Sequence, residues 1–265
     1  MNRIQNTFVK LKEQDQKALI TYLVVGDPDI TTTLELMNTM VDEGADILEL
    51  GISFSDPMAD GLVIQEANKL ALKKGLTTNQ SINLIKSVSK NKGKTSYVIM
   101  CYINTIMKYG VSKFIKSIKG TVDGLIIVDL PFEEEKDIRK KLENNGIYLI
   151  KLISPMTDSR RAKKLLHNSK GFIYYISSTG ITGSNKLNYK EINQNIKMIK
   201  KHSSTPVLVG FGVKSRQDAQ SLKNKTLTNG VIIGSALIQM YFDLRMNFNN
   251  YIKSLDNYIK SVNGK

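Results

Sequence analysis

Cys101 is the only cysteine, so no intrachain disulfide can form. With His167 and His202 the only histidines, the sequence is too poor in thiol and imidazole for a Cys/His zinc site, and no metal is expected. A packed free thiol is the plain reading of Cys101. No apolar run approaches the roughly 18 residues that a membrane span needs. The opening Met1-Asn2-Arg3-Ile4-Gln5-Asn6 lacks the apolar stretch of a secretory signal, so a cytoplasmic protein is expected. Linkers rich in Gly, Pro or Ser are also missing, which points to a single domain over residues 1–265.

Arginine is scarce. Only Arg3, Arg139, Arg160, Arg161, Arg216 and Arg245 carry a guanidinium among 38 basic side chains. The net charge of +14 would suit a polyanion. Base reading and phosphate clamping, however, favour the forked guanidinium over lysine. The lysines also fall in pairs on the polar sides of amphipathic segments, such as Lys73 and Lys74, Lys140 and Lys141, and Lys163 and Lys164. That pattern describes a solvated outer surface, with neither nucleic acid nor membrane as partner.

What is present is regular alternation. Short β-rich runs occupy Ala18–Val25, Asp46–Gly51, Ser96–Tyr102, Gly124–Val128, Ile147–Ile153, Gly171–Ser177, Val207–Val209 and Gly230–Ile233. Between them, apolar residues recur at helical spacing, as in Leu34, Met37 and Val41, or Ile192, Ile196 and Ile199. Strict β-then-α order implies parallel strands with helical crossovers. Eight such units favour an α/β fold of the single (β/α)8 TIM-barrel type over a doubly wound sheet, although the count does not by itself prove closure. The long gap after the second strand has room for a polar loop, Ser53–Gly61, and two helices. An extra helix at the N-terminus (Ile4, Phe8, Leu11) and another near the eighth strand (Phe248, Ile252, Leu255, Ile259) would each cover a barrel face.

In such a barrel the active site forms at the carboxyl ends of the strands. The run Asp46-Ile47-Leu48-Glu49-Leu50-Gly51 alternates, so Ile47 and Glu49 share one face and Leu48 and Leu50 the other. With the leucines toward the helices, Glu49 points into the barrel mouth, where burial raises a carboxyl pKa toward neutrality. The following loop carries Asp56, whose simplest role beside Pro57 is a turn or cap, and Asp60, which can reach back toward Glu49. Two carboxylates at one opening suit acid/base chemistry on a neutral substrate. Glycine turns follow the sixth strand (Gly180, Gly183), the seventh (Gly210, Gly212) and the eighth (Gly234-Ser235). Together they match a phosphate cradle of backbone N–H groups and a helix N-terminus.

The segment Leu48-Glu49-Leu50-Gly51-Ile52-Ser53-Phe54-Ser55-Asp56-Pro57-Met58-Ala59-Asp60-Gly61-Leu62-Val63-Ile64-Gln65 resembles the signature of the tryptophan synthase α-subunit family. Gly26-Asp27-Pro28, Tyr102-Ile103-Asn104, Asp129-Leu130-Pro131, Gly180-Ile181-Thr182-Gly183, Gly210-Phe211-Gly212 and Gly234-Ser235 follow in family order, so the resemblance spans essentially the whole chain. It departs from the family at Ser53 and Leu62, where prolines are usual, and at Ser178, where many members carry Arg. Two missing prolines imply a less preorganised loop.

The resemblance implies a lyase that cleaves indole-3-glycerol phosphate to indole and glyceraldehyde 3-phosphate by a retro-aldol reaction. Glu49 then stands as the acid/base and Asp60 as the carboxylate holding the indole N–H. Tyr174 matches the substrate-site tyrosine, with neighbouring Tyr175 one register away. Tyr22, Met100, Ile153 and Phe211 would line the indole pocket, and Thr182 would meet the catalytic aspartate when its loop closes. Gly183, Gly212, Gly234 and Ser235 would hold the phosphate. The implied partner is a pyridoxal-phosphate β subunit in an α2β2 heterotetramer, contacted through Asp56, Pro57, Tyr102 and Asn104. It would receive indole and join it to serine, and this chain would need no cofactor of its own.

Overall fold

In the computed structural model, the described residues are 2–91, 95–177, 187–210, 212–213, 215–244 and 248–263. Runs of aliphatic and β-branched residues form β1 (Ala18–Val24), β2 (Ile47–Gly51), β3 (Ser96–Cys101), β4 (Gly124–Ile127), β5 (Tyr148–Leu149), β6 (Lys151–Ile153), β7 (Ile173–Ile176), β8 (Val207–Gly210) and β9 (Gly230–Ile233). Neighbours pair in parallel in the order β5-β4-β3-β2-β1-β9-β8-β7-β6.

The two ends of that order are consecutive in the chain. Only Ile150 separates β5 from β6, and its N–H still donates to the Leu125 carbonyl at 2.9 Å. They are halves of one fifth strand, the first paired with β4 and the second with β7. The sheet thus closes on itself as an eight-stranded (β/α)8 barrel, in agreement with the sequence reading.

Every crossover carries a helix. Ile30–Asp42 follows β1, Leu62–Lys73 and Thr78–Asn91 follow β2, and Ile103–Tyr109 and Val111–Ile118 follow β3. Glu135–Glu143, Ser159–Leu165, Tyr189–Lys200 and Arg216–Lys225 follow the next four strands, and Ser235–Leu244 and Phe248–Asn263 follow the last.

Side-chain alternation along the strands creates two apolar layers. Ile20, Ile47, Val98, Ile126, Ile150, Phe172, Leu208 and Ile232 fill the barrel interior. Leu19, Leu48, Ile99, Leu125, Ile173, Val209 and Val231 face the helices. The helix Arg3–Glu13 seals the amino end of the barrel. Its Ile4 is fully buried, and Arg3 grips Asp123 at the start of β4 with bonds of 2.9 and 3.0 Å. The last helix has a different place. Leu255, Ile259 and Val262 pack in the outer layer, so it completes the helical ring and does not cover a barrel opening.

The outer layer also holds a buried ion pair. Lys151 of β6 donates to Glu135 of the adjacent helix, with Arg139 beside the same carboxylate. Removing one partner leaves the other charge stranded in the interior, whereas replacing both does not. Glu135→Leu should therefore cost about 3–5 kcal/mol in urea denaturation, and Glu135→Leu with Lys151→Met should recover most of it.

Candidate active site

Along β2, Ile47 joins the inner layer and Leu48 and Leu50 the outer, which turns Glu49 into the barrel near its carboxyl end. Glu49 is 1% exposed, and its Oε2 has no hydrogen-bond partner among the described residues. Burial, followed by the Asp60 carboxylate, raises its pKa to about 8. At neutral pH this side chain carries a proton that it can deliver.

Asp60 lies at the end of the loop that follows β2. Its N–H donates to the Pro57 carbonyl at 3.0 Å, and its own carbonyl accepts from Gln65 Nε2 at 2.8 Å. Asn68 ties the start of the loop, accepting from the Phe54 N–H at 3.0 Å and donating to the Ile64 carbonyl at 2.8 Å. Tyr102 donates its hydroxyl to Asp60 Oδ2 at 3.1 Å and accepts the Ala59 N–H at 3.0 Å. Loop order expected from two prolines is supplied here by side-chain hydrogen bonds. Asp60 is 3% exposed, with Oδ1 unpartnered among the described residues. Burial raises its pKa to about 6, with the Tyr102 hydrogen bond pulling the other way. The two carboxyl groups are held on opposite sides of neutrality, one as an acid and one as an anion.

Three buried tyrosines surround the pair, and glycines make room for two of them. Tyr22 of β1 stands opposite Glu49 in the strand register. A Cβ on Gly51 would meet its hydroxyl at 2.3 Å, and one on Gly234 would meet its ring at 2.9 Å. Tyr174 of β7 lies over Gly210 in the same way, with 2.4 Å from its hydroxyl to a Cβ built there. Tyr174 belongs to the inner layer and Tyr175 to the outer, which settles the register. Burial raises the pKa of Tyr22 and Tyr174 well above the ordinary value, and the two carboxylates raise both further. The phenols therefore remain neutral. Met100 also faces inward.

Other expected residues fall elsewhere. Ile153 packs in the outer layer, because Lys151 two positions earlier faces the helix that carries Glu135; Leu152 is the inward neighbour. Ile153 is thus not brought to the pocket. Tyr102 is not an outward contact residue: it is 6% exposed and turned to Asp60, with its ring stacked on Phe54 at 4.7 Å between centroids. Asp56 and Asn104 are exposed and Pro57 half-buried. Thr182, Gly183 and Phe211 lie outside the described residues. Of the phosphate set, Gly212 adopts φ 78°, and Gly234 accepts from the N–H of Leu237 and Ile238 to start the helix that begins at Ser235. The N–H groups at the very start of such a helix have no intrahelical partner and suit an anion.

The sequence reading assigned no part to Asp27. It is buried just beyond β1 with Oδ1 unpartnered, and burial, then Glu66 and Asp29, push it up to about 7. Nor did that reading assign one to Gln65 and Asn68. Their spacing of five and fourteen residues from the groups they hold carries no periodic signal. Among the described residues no group of three His, Cys, Asp or Glu could hold a metal, and no helix is long and apolar enough to cross a membrane.

Comparison with known proteins agrees with this geometry. The family model described as tryptophan synthase alpha chain matches residues 8–263. The chain belongs to that family. The tryptophan synthase alpha chain of Thermoanaerobacter pseudethanolicus is 41% identical over 240 residues, 90% of either chain. That of Caldanaerobacter subterraneus is 39% identical over the same length. A crystal structure of the alpha chain from Legionella pneumophila superposes with a TM-score of 0.89 at 33% identity, covering 100% of this chain and 97% of that one. Tryptophan synthase from Mycobacterium tuberculosis, in an aminoacrylate-bound form, gives 0.86 at 27%, covering 99% and 100%. Membership makes this chain an α subunit of tryptophan biosynthesis, with lyase activity.

The fit of Tyr174 over Gly210 is testable. Gly210→Ala should displace the ring and lower lyase kcat/KM about 10- to 100-fold while near-ultraviolet circular dichroism stays that of a folded barrel.

Proposed function

We propose that Glu49 and Asp60 carry a retro-aldol cleavage of indole-3-glycerol phosphate to indole and glyceraldehyde 3-phosphate. The observation behind this reading is the pair itself, two buried carboxyl groups with pKa values near 8 and 6 and one unpartnered oxygen each. Cleavage first needs a proton at indole C3, which turns the ring into an electron sink. Protonated Glu49 supplies it. The resulting carboxylate then takes the proton of the glycerol hydroxyl next to the breaking bond. Ionised Asp60 accepts the indole N–H and offsets the positive charge that develops on the ring. Tyr22, Met100 and Tyr174 line the indole side, and the family resemblance adds Phe211 to that pocket. Thr182 meets Asp60, and Gly183, Gly212, Gly234 and Ser235 hold the phosphate.

Indole passes to a β subunit that carries pyridoxal phosphate, within an α2β2 assembly in the cytoplasm. The single barrel domain of residues 1–265 needs no cofactor of its own. Exposed Asp56 and Asn104 and half-buried Pro57 contact that partner. The exposure of Met58 (85%), Leu62 (73%) and Met107 (60%) on the same two crossovers supports a docking face there.

Indole release from indole-3-glycerol phosphate, measured with and without a tryptophan synthase β subunit, tests the reading. Wild type should show slow release that the partner accelerates, and Glu49→Gln should lose about 10³-fold or more. The free-enzyme kcat/KM should be bell-shaped, rising as Asp60 ionises near pH 6 and falling as Glu49 loses its proton near pH 8. Absence of indole in every condition would overturn it.

A further inference from the structure

We propose that Tyr102 is a positioning residue for the lyase reaction: its hydroxyl fixes Asp60 in the anionic form and so decides which member of the carboxyl pair is base and which is acid. This inference rests on the reading of Glu49 and Asp60 given above and adds a group to it.

The geometry has three parts. The Tyr102 hydroxyl has one hydrogen to give, and the Ala59 N–H, at 3.0 Å, occupies an oxygen lone pair. The remaining direction of donation meets Asp60 Oδ2 at 3.1 Å. A donor whose oxygen already accepts from a backbone amide is polarised toward giving its proton, and a carboxylate takes such a bond better than a carboxylic acid does.

The ring is itself held. It stacks on Phe54 at 4.7 Å with 18° between planes, and Phe54 is tied through its N–H to Asn68. Tyr102 immediately precedes the helix Ile103–Tyr109, whose first N–H donates to Asp129 Oδ1 at 2.7 Å. The loop after β2 and the turns after β3 and β4 are joined in one chain of contacts that ends on Asp60.

The other groups around the pair do not duplicate this bond. Tyr22 from β1 and Tyr174 from β7 face both carboxyl groups, Glu49 from β2 faces Asp60, and Asp129 after β4 acts on Tyr102. Among the described residues Glu49 Oε2 and Asp60 Oδ1 have no hydrogen-bond partner, whereas Asp60 Oδ2 accepts from a phenol. Asp60 sits below Glu49 in pKa despite both being buried, and the Tyr102 hydrogen bond pulls Asp60 down. Without the phenol, nothing offsets the burial that raises Asp60, and the proton has less reason to reside on Glu49.

The test is the pH profile of kcat/KM for Tyr102→Phe, with indole release as readout. Loss of the donor destabilises ionised Asp60, so its pKa rises and the acid limb should move upward by about one pH unit. The alkaline limb, set by Glu49, should stay near its wild-type position. At pH 6 the variant should therefore lose about fivefold more activity than at pH 8. Phe54→Leu removes the ring that holds the phenol and keeps the phenol itself, so its acid limb should move the same way by less than that of Tyr102→Phe. The pH dependence of binding of a non-cleavable indole alkyl phosphate gives a second readout, in which the Tyr102→Phe midpoint should move the same way.

A uniform loss of activity at all pH values in Tyr102→Phe, with both limbs in place, would overturn the proposal and leave the residue a packing element. A wild-type enzyme that releases no indole would instead overturn the assignment of Glu49 and Asp60.

Discussion

Taking two carboxyl groups out of water at one end of a closed sheet is the constraint from which most of the site follows. Two buried anions side by side would repel strongly, and among the described residues no cation acts on either. The site avoids this by holding one proton between them. Glu49, buried on the strand itself with Oε2 unpartnered among the described residues, keeps it. Asp60, on a loop that brings a phenol to it, gives it up. That division serves a reaction that must first donate a proton to carbon and stabilise positive charge on nitrogen.

The glycines obey the same constraint. Large neutral rings are the material that excludes water around the pair, and rings of this size fit only where the neighbouring strand ends lack a Cβ. Gly51 and Gly234 flank Tyr22, and Gly210 lies beneath Tyr174. Residues that the sequence reading assigned to turns and phosphate binding thus also set the volume of the apolar pocket. One residue type serves two ends of the substrate.

The barrel and its central acid were legible because strands with an inner and an outer face write a period of two into the sequence. Leu48 and Leu50 on either side of Glu49 were enough to orient it. The same rule applied to Lys151 would have turned Ile153 outward, but lysine at that position reads as exposed until its partner Glu135, sixteen residues earlier, is known. Tyr102 reads from the sequence as part of a partner-contact segment, and the structure adds a bond from its hydroxyl to Asp60. Its contact with Asp60 spans 42 residues, and no local pattern encodes it. What holds the loop is hard to read for a related reason. Proline is visible in a sequence, whereas the hydrogen bonds of Asn68 and Gln65 that replace it depend on how the next helix is set.

The break at Ile150 has a consequence for how this molecule meets others. Because the two halves of the fifth strand are one covalent chain, the ladder passes from β4 to β7 without presenting a row of unpaired backbone groups to solvent. A sheet with no edge offers no template on which a strand from another chain could be laid. Assembly by strand addition is foreclosed, and so is the commonest route from a β structure to a fibril. Whatever this protein binds, it must recognise through loops and side chains, which are the parts that can vary while the ring beneath them stays the same.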